Sequence, residues 1–285
     1  MNYRIILLTA LFTAFTVNAF AQIEPDYLED FKVKPKSFTV EEVKQKKTKD
    51  GNVEIQKITR YELELDYSRI KSQVVYDTVN GIVYNQRVSY SYLDDADQNL
   101  SQIKRVDFEG NDVFQIDYQW DANGLWLQKE THLNNTGDVV KTIVYSIGAC
   151  EAQEMQDLTD DQAYHCETRE ITNTFKTFKS IKAYGEYGIS RALSYKDSST
   201  LDAVIDYLYD DSGRLIQETR RSASGRETVS TYSYNEQGDV VAFKKGRVSF
   251  TYEYTYDDKG NWITKIERPR IGSVERVYTR TFVYR

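Results

Sequence analysis

Four segments of this chain align without gaps, and their common spacing restricts the fold more than any other feature of the sequence. Tyr118-Gln-Trp120-Asp121 leads to Gly124 and Trp126, and Tyr207-Leu-Tyr209-Asp210 leads to Gly213 and Leu215. Tyr232-Ser-Tyr234-Asn235 leads to Gly238 and Val240, and Tyr254-Thr-Tyr256-Asp257 leads to Gly260 and Trp262. Two aromatics at i and i+2 point to one face of a strand. The Asp or Asn opens a turn, because its side chain can accept from backbone N–H groups two residues on. The Gly supplies the left-handed position of a type I turn with a bulge. The apolar residue after it starts the return strand. Each unit is therefore a β-hairpin, and Asp121, Asp210, Asn235 and Asp257 are turn residues rather than catalytic carboxylates.

Weaker copies fill the intervals. Tyr90-Ser-Tyr92 runs into Asp94-Asp95, and Phe108-Glu-Gly110-Asn111 and Leu133-Asn-Asn-Thr-Gly137 read as shorter turns. Lys49-Asp50-Gly51-Asn52 and Asn80-Gly81 suggest two more hairpins. Val248, Phe250, Tyr252, Tyr254 and Tyr256 alternate with Ser249, Thr251, Glu253 and Thr255, as one packed and one wet face require. The chain holds 23 Tyr, 12 Phe and 3 Trp against only 3 Pro, which suits pleated, half-buried surfaces. The expected fold class is all-β: an antiparallel meander of repeated hairpins that can curl into an open barrel.

The pattern resembles the YD repeats of the Rhs family. The closing stretch, Tyr254-Thr-Tyr-Asp-Asp-Lys-Gly-Asn-Trp262 followed by Val274–Tyr284, is similar to the end of small exported bacterial proteins of that type, notably from Bacteroidetes. The resemblance covers roughly 118–285, with the four aligned units as its firm part. Rhs proteins wrap many hairpins into a large shell around a toxin. This chain has too few units for a shell of that size, and no toxin domain follows the last repeat, so that function is not carried over. The resemblance implies carbohydrate binding only weakly.

Residues 1–21 read as a secretory signal peptide. Arg4 is followed by an apolar run from Ile5 to Val17, and Ala19-Phe20-Ala21 offers a cleavage site. No cysteine follows the run, so there is no lipid attachment point. The expected destination is periplasmic or secreted. Residues 22–35 form a polar lead-in arm with one helical turn near Tyr27–Phe31, and 36–285 form a single domain. Strand is expected for Ser37–Val43, with Val43–Lys49 a candidate helix end. Cys150 and Cys166 are the only cysteines, and export favours a disulfide between them. They bracket a segment acidic through Glu151, Glu154, Asp157, Asp160 and Asp161, read as a short helix inserted into the repeat.

The candidate chemistry is sparse. His132 and His165 are the only histidines, with no His-Glu-x-x-His or Cys-x-x-Cys pattern, so neither metal nor cofactor is expected. No nucleophile elbow or phosphate loop is present. Asp95-x-Asp97-x-Asn99 starts like a calcium loop but has Leu100 at the sixth position and Val106 at the twelfth. A net charge of −7 argues against a nucleic-acid partner. No stretch after the signal is long and apolar enough for a membrane helix. A membrane β-barrel would need outward apolar bands, where Lys244, Lys245, Arg247 and Glu253 sit badly.

Two functions remain: a non-catalytic exported scaffold or binding module, or a carbohydrate-active enzyme using paired carboxylates. A pocket with two close, perturbed carboxylates would favour the enzyme; a sheet without a deep cleft would favour the binder. For the binder the contact residues to examine are Trp120, Trp126 and Trp262, against the plainer reading of aromatic packing. The partner expected is an envelope glycan or protein.

Overall fold

The computed structural model describes residues 35–284 apart from 49, 51, 67–68, 80–81, 94–98, 108, 156 and 159–163. The signal segment, almost all of the lead-in arm and most of the calcium-like turn lie outside the described residues. Eighteen strands follow one another in the chain. The first nine are β1 (Ser37–Lys47), β2 (Val53–Asp66), β3 (Arg69–Val79), β4 (Ile82–Tyr92), β5 (Leu100–Val106), β6 (Asp112–Trp120), β7 (Leu127–Leu133), β8 (Val139–Gly148) and β9 (His165–Asn173). The second nine are β10 (Thr177–Gly185), β11 (Gly188–Tyr195), β12 (Leu201–Tyr209), β13 (Leu215–Ser222), β14 (Glu227–Tyr234), β15 (Val240–Lys245), β16 (Val248–Tyr256), β17 (Trp262–Pro269) and β18 (Val274–Val283). The segment considered as a helix end after Val43 continues β1 to Lys47.

Every strand pairs antiparallel with its chain neighbours, and β1 pairs with both β2 and β18. The sheet thus curls beyond an open barrel and closes into a ring without edges, which removes the hazard of exposed strand edges. Each extensive strand contact is between neighbours round the ring. A closed ring of eighteen strands is in the size range in which barrels enclose a lumen. The molecule is a closed, eighteen-stranded antiparallel β-barrel.

The two faces of the wall differ. Phe38, Val40, Tyr61, Leu63, Gln73, Ile116, His132, Ile205, Tyr232, Phe243, Phe250, Trp262 and Arg280 follow one another through the registers on one face. That face is buried or half-buried. Convergence of side chains on a concave surface is what hides it. Outward positions such as Glu170, Thr231, Ser233, Thr251, Glu253 and Thr255 are exposed and polar, a face suited to water rather than lipid. The alternation expected for 248–256 holds from Phe250 onward; Val248 lies at the strand tip and is exposed. No helix among the described residues is long and apolar enough to cross a membrane.

One sector departs from this plan. Cys150 and Cys166 are joined, as expected. Among its described residues the segment they close carries a 3₁₀ turn, Gln153–Met155, while 156 and 159–163, part of the expected short helix, lie outside the described residues. It folds over the outer face of β9–β12, where Met155 packs with Cys166, Ile181, Ala183 and Leu193. An ion pair from Arg191 to Asp157 fastens it, and Arg191 also reaches Asp206 at 2.5 Å.

Candidate binding surface

The four aligned units are hairpins built as their residues require. In each, the Gly N–H donates to the carbonyl of the turn Asp or Asn three residues earlier, at 2.9 to 3.2 Å. The side chain of that residue accepts from the backbone beyond it: Asp121 Oδ1 from Trp126 N at 2.9 Å, and Asn235 Oδ1 from Asp239 N at 2.8 Å. These N–H groups, that of Trp126 first, hold the Asp121 carboxyl below the usual carboxylate range. Gly213 and Gly238 have φ of 74° and 91°, conformations that cost a branched residue dearly.

The second aromatic of a unit has a further part that its spacing did not reveal. The ladder shifts register just before Trp120, Tyr209, Tyr234 and Tyr256. That bulge turns the side chain toward the preceding hairpin. Trp120 Nε1 donates to Leu100 O at 2.8 Å, Tyr209 to Ile189 O at 2.9 Å and Tyr234 to Leu215 O at 2.6 Å. The weaker copy behaves alike, with Tyr92 donating to Ile70 O at 3.0 Å. In the last unit the first aromatic takes this part, Tyr254 donating to Val240 O at 2.9 Å, while Tyr256 donates to Asp239 Oδ2 at 2.6 Å. Each hairpin is thereby latched to the one before it.

Because strands alternate in direction, these latches and the turns after even-numbered strands gather at one rim. The three tryptophans have separate fates there. Trp262 is only 4% exposed, with the Arg280 guanidinium 3.3 Å from its ring centre and Tyr254 edge-on at 6.2 Å. Trp120 is half-buried in its latch. Trp126 is 46% exposed and meets the edge of His165 at 6.4 Å, while His165 stacks flat on Tyr184 at 5.1 Å. Leu125, Tyr164 and Tyr187 beside them are exposed. Tyr187 continues the row to Tyr209 at 6.3 Å. The structure thus assembles an aromatic ledge from three successive turns. Of its residues the sequence singled out only Trp126. The others lie outside the repeat spacing, and no local pattern marks His165, Tyr184 or Tyr187 as neighbours of that turn.

On the concave wall nearby, His132 Nε2 lies 3.1 Å from Glu130, Tyr145 donates to the same carboxylate, and Arg169 pairs with Glu167 at 2.5 Å. Burial opposes ionisation of Glu130, but its bonds to His132 and Tyr145 prevail and hold it below the usual range. Lys182, beside Glu167 in the ladder, is pushed down to about 8 by burial and by Arg169. Burial raises the phenols of Tyr118 and Tyr207 far above their ordinary value. A glycosidase needs one carboxyl held protonated. Glu130 is displaced the other way. No group of three or more metal-ligating side chains occurs among the described residues.

A family model described as Teneurin YD-shell matches residues 115–278. No match was found among curated proteins. Among solved structures the chain is similar to a porin-like protein from Bacteroides uniformis ATCC 8492, at 10% identity and a TM-score of 0.34, covering 87% of this chain and 96% of that one. It is also similar to a LolA superfamily protein from Nitrosomonas europaea, at 12% identity and a TM-score of 0.23, covering 91% and 92%. Both superpositions are too loose to carry anything over.

Proposed function

The chain belongs to the teneurin YD-shell family, and on that premise we propose that it is an exported, non-catalytic barrel that binds an envelope glycan through the aromatic ledge of its latched rim. The observation that carries this reading is the exposed Trp126, held in orientation by His165 and Tyr184. Sugar rings present apolar C–H faces that stack on such rings, and rigid aromatics supply contact area at low entropic cost. The signal-like N-terminus supports a periplasmic or extracellular site of action.

The test is a glycan-array screen with the intact protein, followed by titration of Trp126→Ala and Tyr187→Ala. Binding should weaken about tenfold or more with melting unchanged. Binding that survives both substitutions would remove the ledge as the contact surface. Loss that merely tracks a fall in stability would assign these rings to packing.

A further inference from the structure

The opposite rim carries a second feature with different chemistry. There the β14–β15 ladder ends at Ser230 and Lys245, while β14 itself begins at Glu227. On the side toward β15, the backbone of Glu227–Val229 has no ladder partner. The β13–β14 and β15–β16 tips splay apart, and a cleft of about 800 Å³ opens between them. Its lining brings together Arg226, Lys244, Lys245 and Arg247, with Thr228 and Thr231 hydroxyls between them and Glu227 the only acid. None of the four bases forms an ion pair with another described residue. Elsewhere on this protein bases are commonly paired: Arg268 bridges Glu253 and Glu275, and Arg276 bridges Glu42 and Glu267.

We propose that this cleft is a binding site for the sulfate groups of an acidic glycan, rather than for a bilayer, because Thr231, Ser233 and Thr251 on the adjoining outer wall are exposed and polar. Two guanidinium forks match the paired oxygens of such groups, the ammonium groups add point charge, and the threonines add neutral donors. The overall charge of −7 repels polyanions. Affinity for one must therefore arise locally, and this concentration of bases offers it. The unpaired strand edge adds backbone N–H donors that a ladder partner would otherwise occupy.

The experiment uses the full-length mature protein and three probes: dextran sulfate, vesicles containing phosphatidylglycerol, and a single-stranded oligonucleotide. Binding is measured by titration at low and high salt. Dextran sulfate should bind, more weakly as salt rises, and more tightly than the vesicles. The double variant Arg226→Glu/Arg247→Glu should lose about tenfold or more. Lys176→Glu, an exposed base at the β9–β10 tip of the same rim, should lose less than about twofold. Thermal melts confirm that each variant is folded. Failure of dextran sulfate to bind, tighter binding to the vesicles, or equal loss in the Lys176 variant would overturn the site. So would equal affinity for the oligonucleotide, which would reduce the cleft to unspecific charge attraction.

Discussion

The sector β9–β12 and the sector β13–β18 are made of the same kind of hairpin yet are held differently. In the first, both faces are covered. Cys166, Ile181, Ala183 and Leu193 lie under the disulfide-closed insertion, and Lys182, Ala192 and Ile205 lie on the concave side. In the second, the outer face is wet, and the strands depend on turn geometry, aromatic latches and a concave aromatic row that includes Tyr232, Phe243 and Phe250. A wall one layer thick can bury little apolar area. Where a covering layer exists, apolar burial does the holding; where it does not, hydrogen-bonded latches take over.

Four tests would break or sharpen that contrast. The largest effect is expected from Leu193→Ala. This side chain is wholly buried beneath the insertion, and the change should destabilise by about 3 kcal/mol in denaturant titration. Thr251→Ala, outward in the uncovered sector, should change stability by less than about 0.5 kcal/mol. A comparable loss in both would mean that the insertion does not distinguish the sectors.

Replacing both Cys150 and Cys166 by Ala should cost about 3 kcal/mol for a loop of this length. Thiol labelling of freshly isolated wild-type protein without reductant should find neither cysteine reactive. The loss should also raise proteolysis between residues 150 and 166 while leaving the β13–β18 sector resistant to cleavage. Uniform sensitivity along the chain would show that the covered sector supports the whole ring.

Lys182→Met should stabilise by about 2 kcal/mol at neutral pH, since burying a charged ammonium is costly. Lys182 is held near 8 in the fold against 10.5 ordinarily. Between those values the unfolded chain holds a proton that the folded chain lacks. Wild-type stability should therefore rise with pH through that window. The variant's advantage should be full below pH 8 and fade toward 10.5. A difference independent of pH would locate the effect in packing instead.

An effect smaller than these three is expected from Tyr234→Phe, which removes the bond to Leu215 O and should cost about 1 kcal/mol. Hydrogen exchange should quicken at the β12–β13 turn more than at the β10–β11 turn. No change at either would deny the latch its part in the uncovered sector.

The aligned Tyr, Asp and Gly positions were sufficient to locate the hairpins, because turn geometry depends on residues within a few positions of one another. Gly124, Gly213, Gly238 and Gly260 all take positive φ for that reason. The bridge between Cys150 and Cys166 was legible for a similar one: only two cysteines were available. Closure of the ring was not legible, since β1 and β18 meet across nearly the whole chain and nothing in either strand specifies the other. Nor were the latches, whose acceptors are backbone carbonyls and leave no mark in the sequence. The ledge of Trp126, His165 and Tyr184 and the cleft of Arg226, Lys244 and Arg247 exist only because the meander returns its turns to common rims. Local hydrogen bonding chose the repeat; the packing of distant strands decided which side chains face the inside of the ring and which face water.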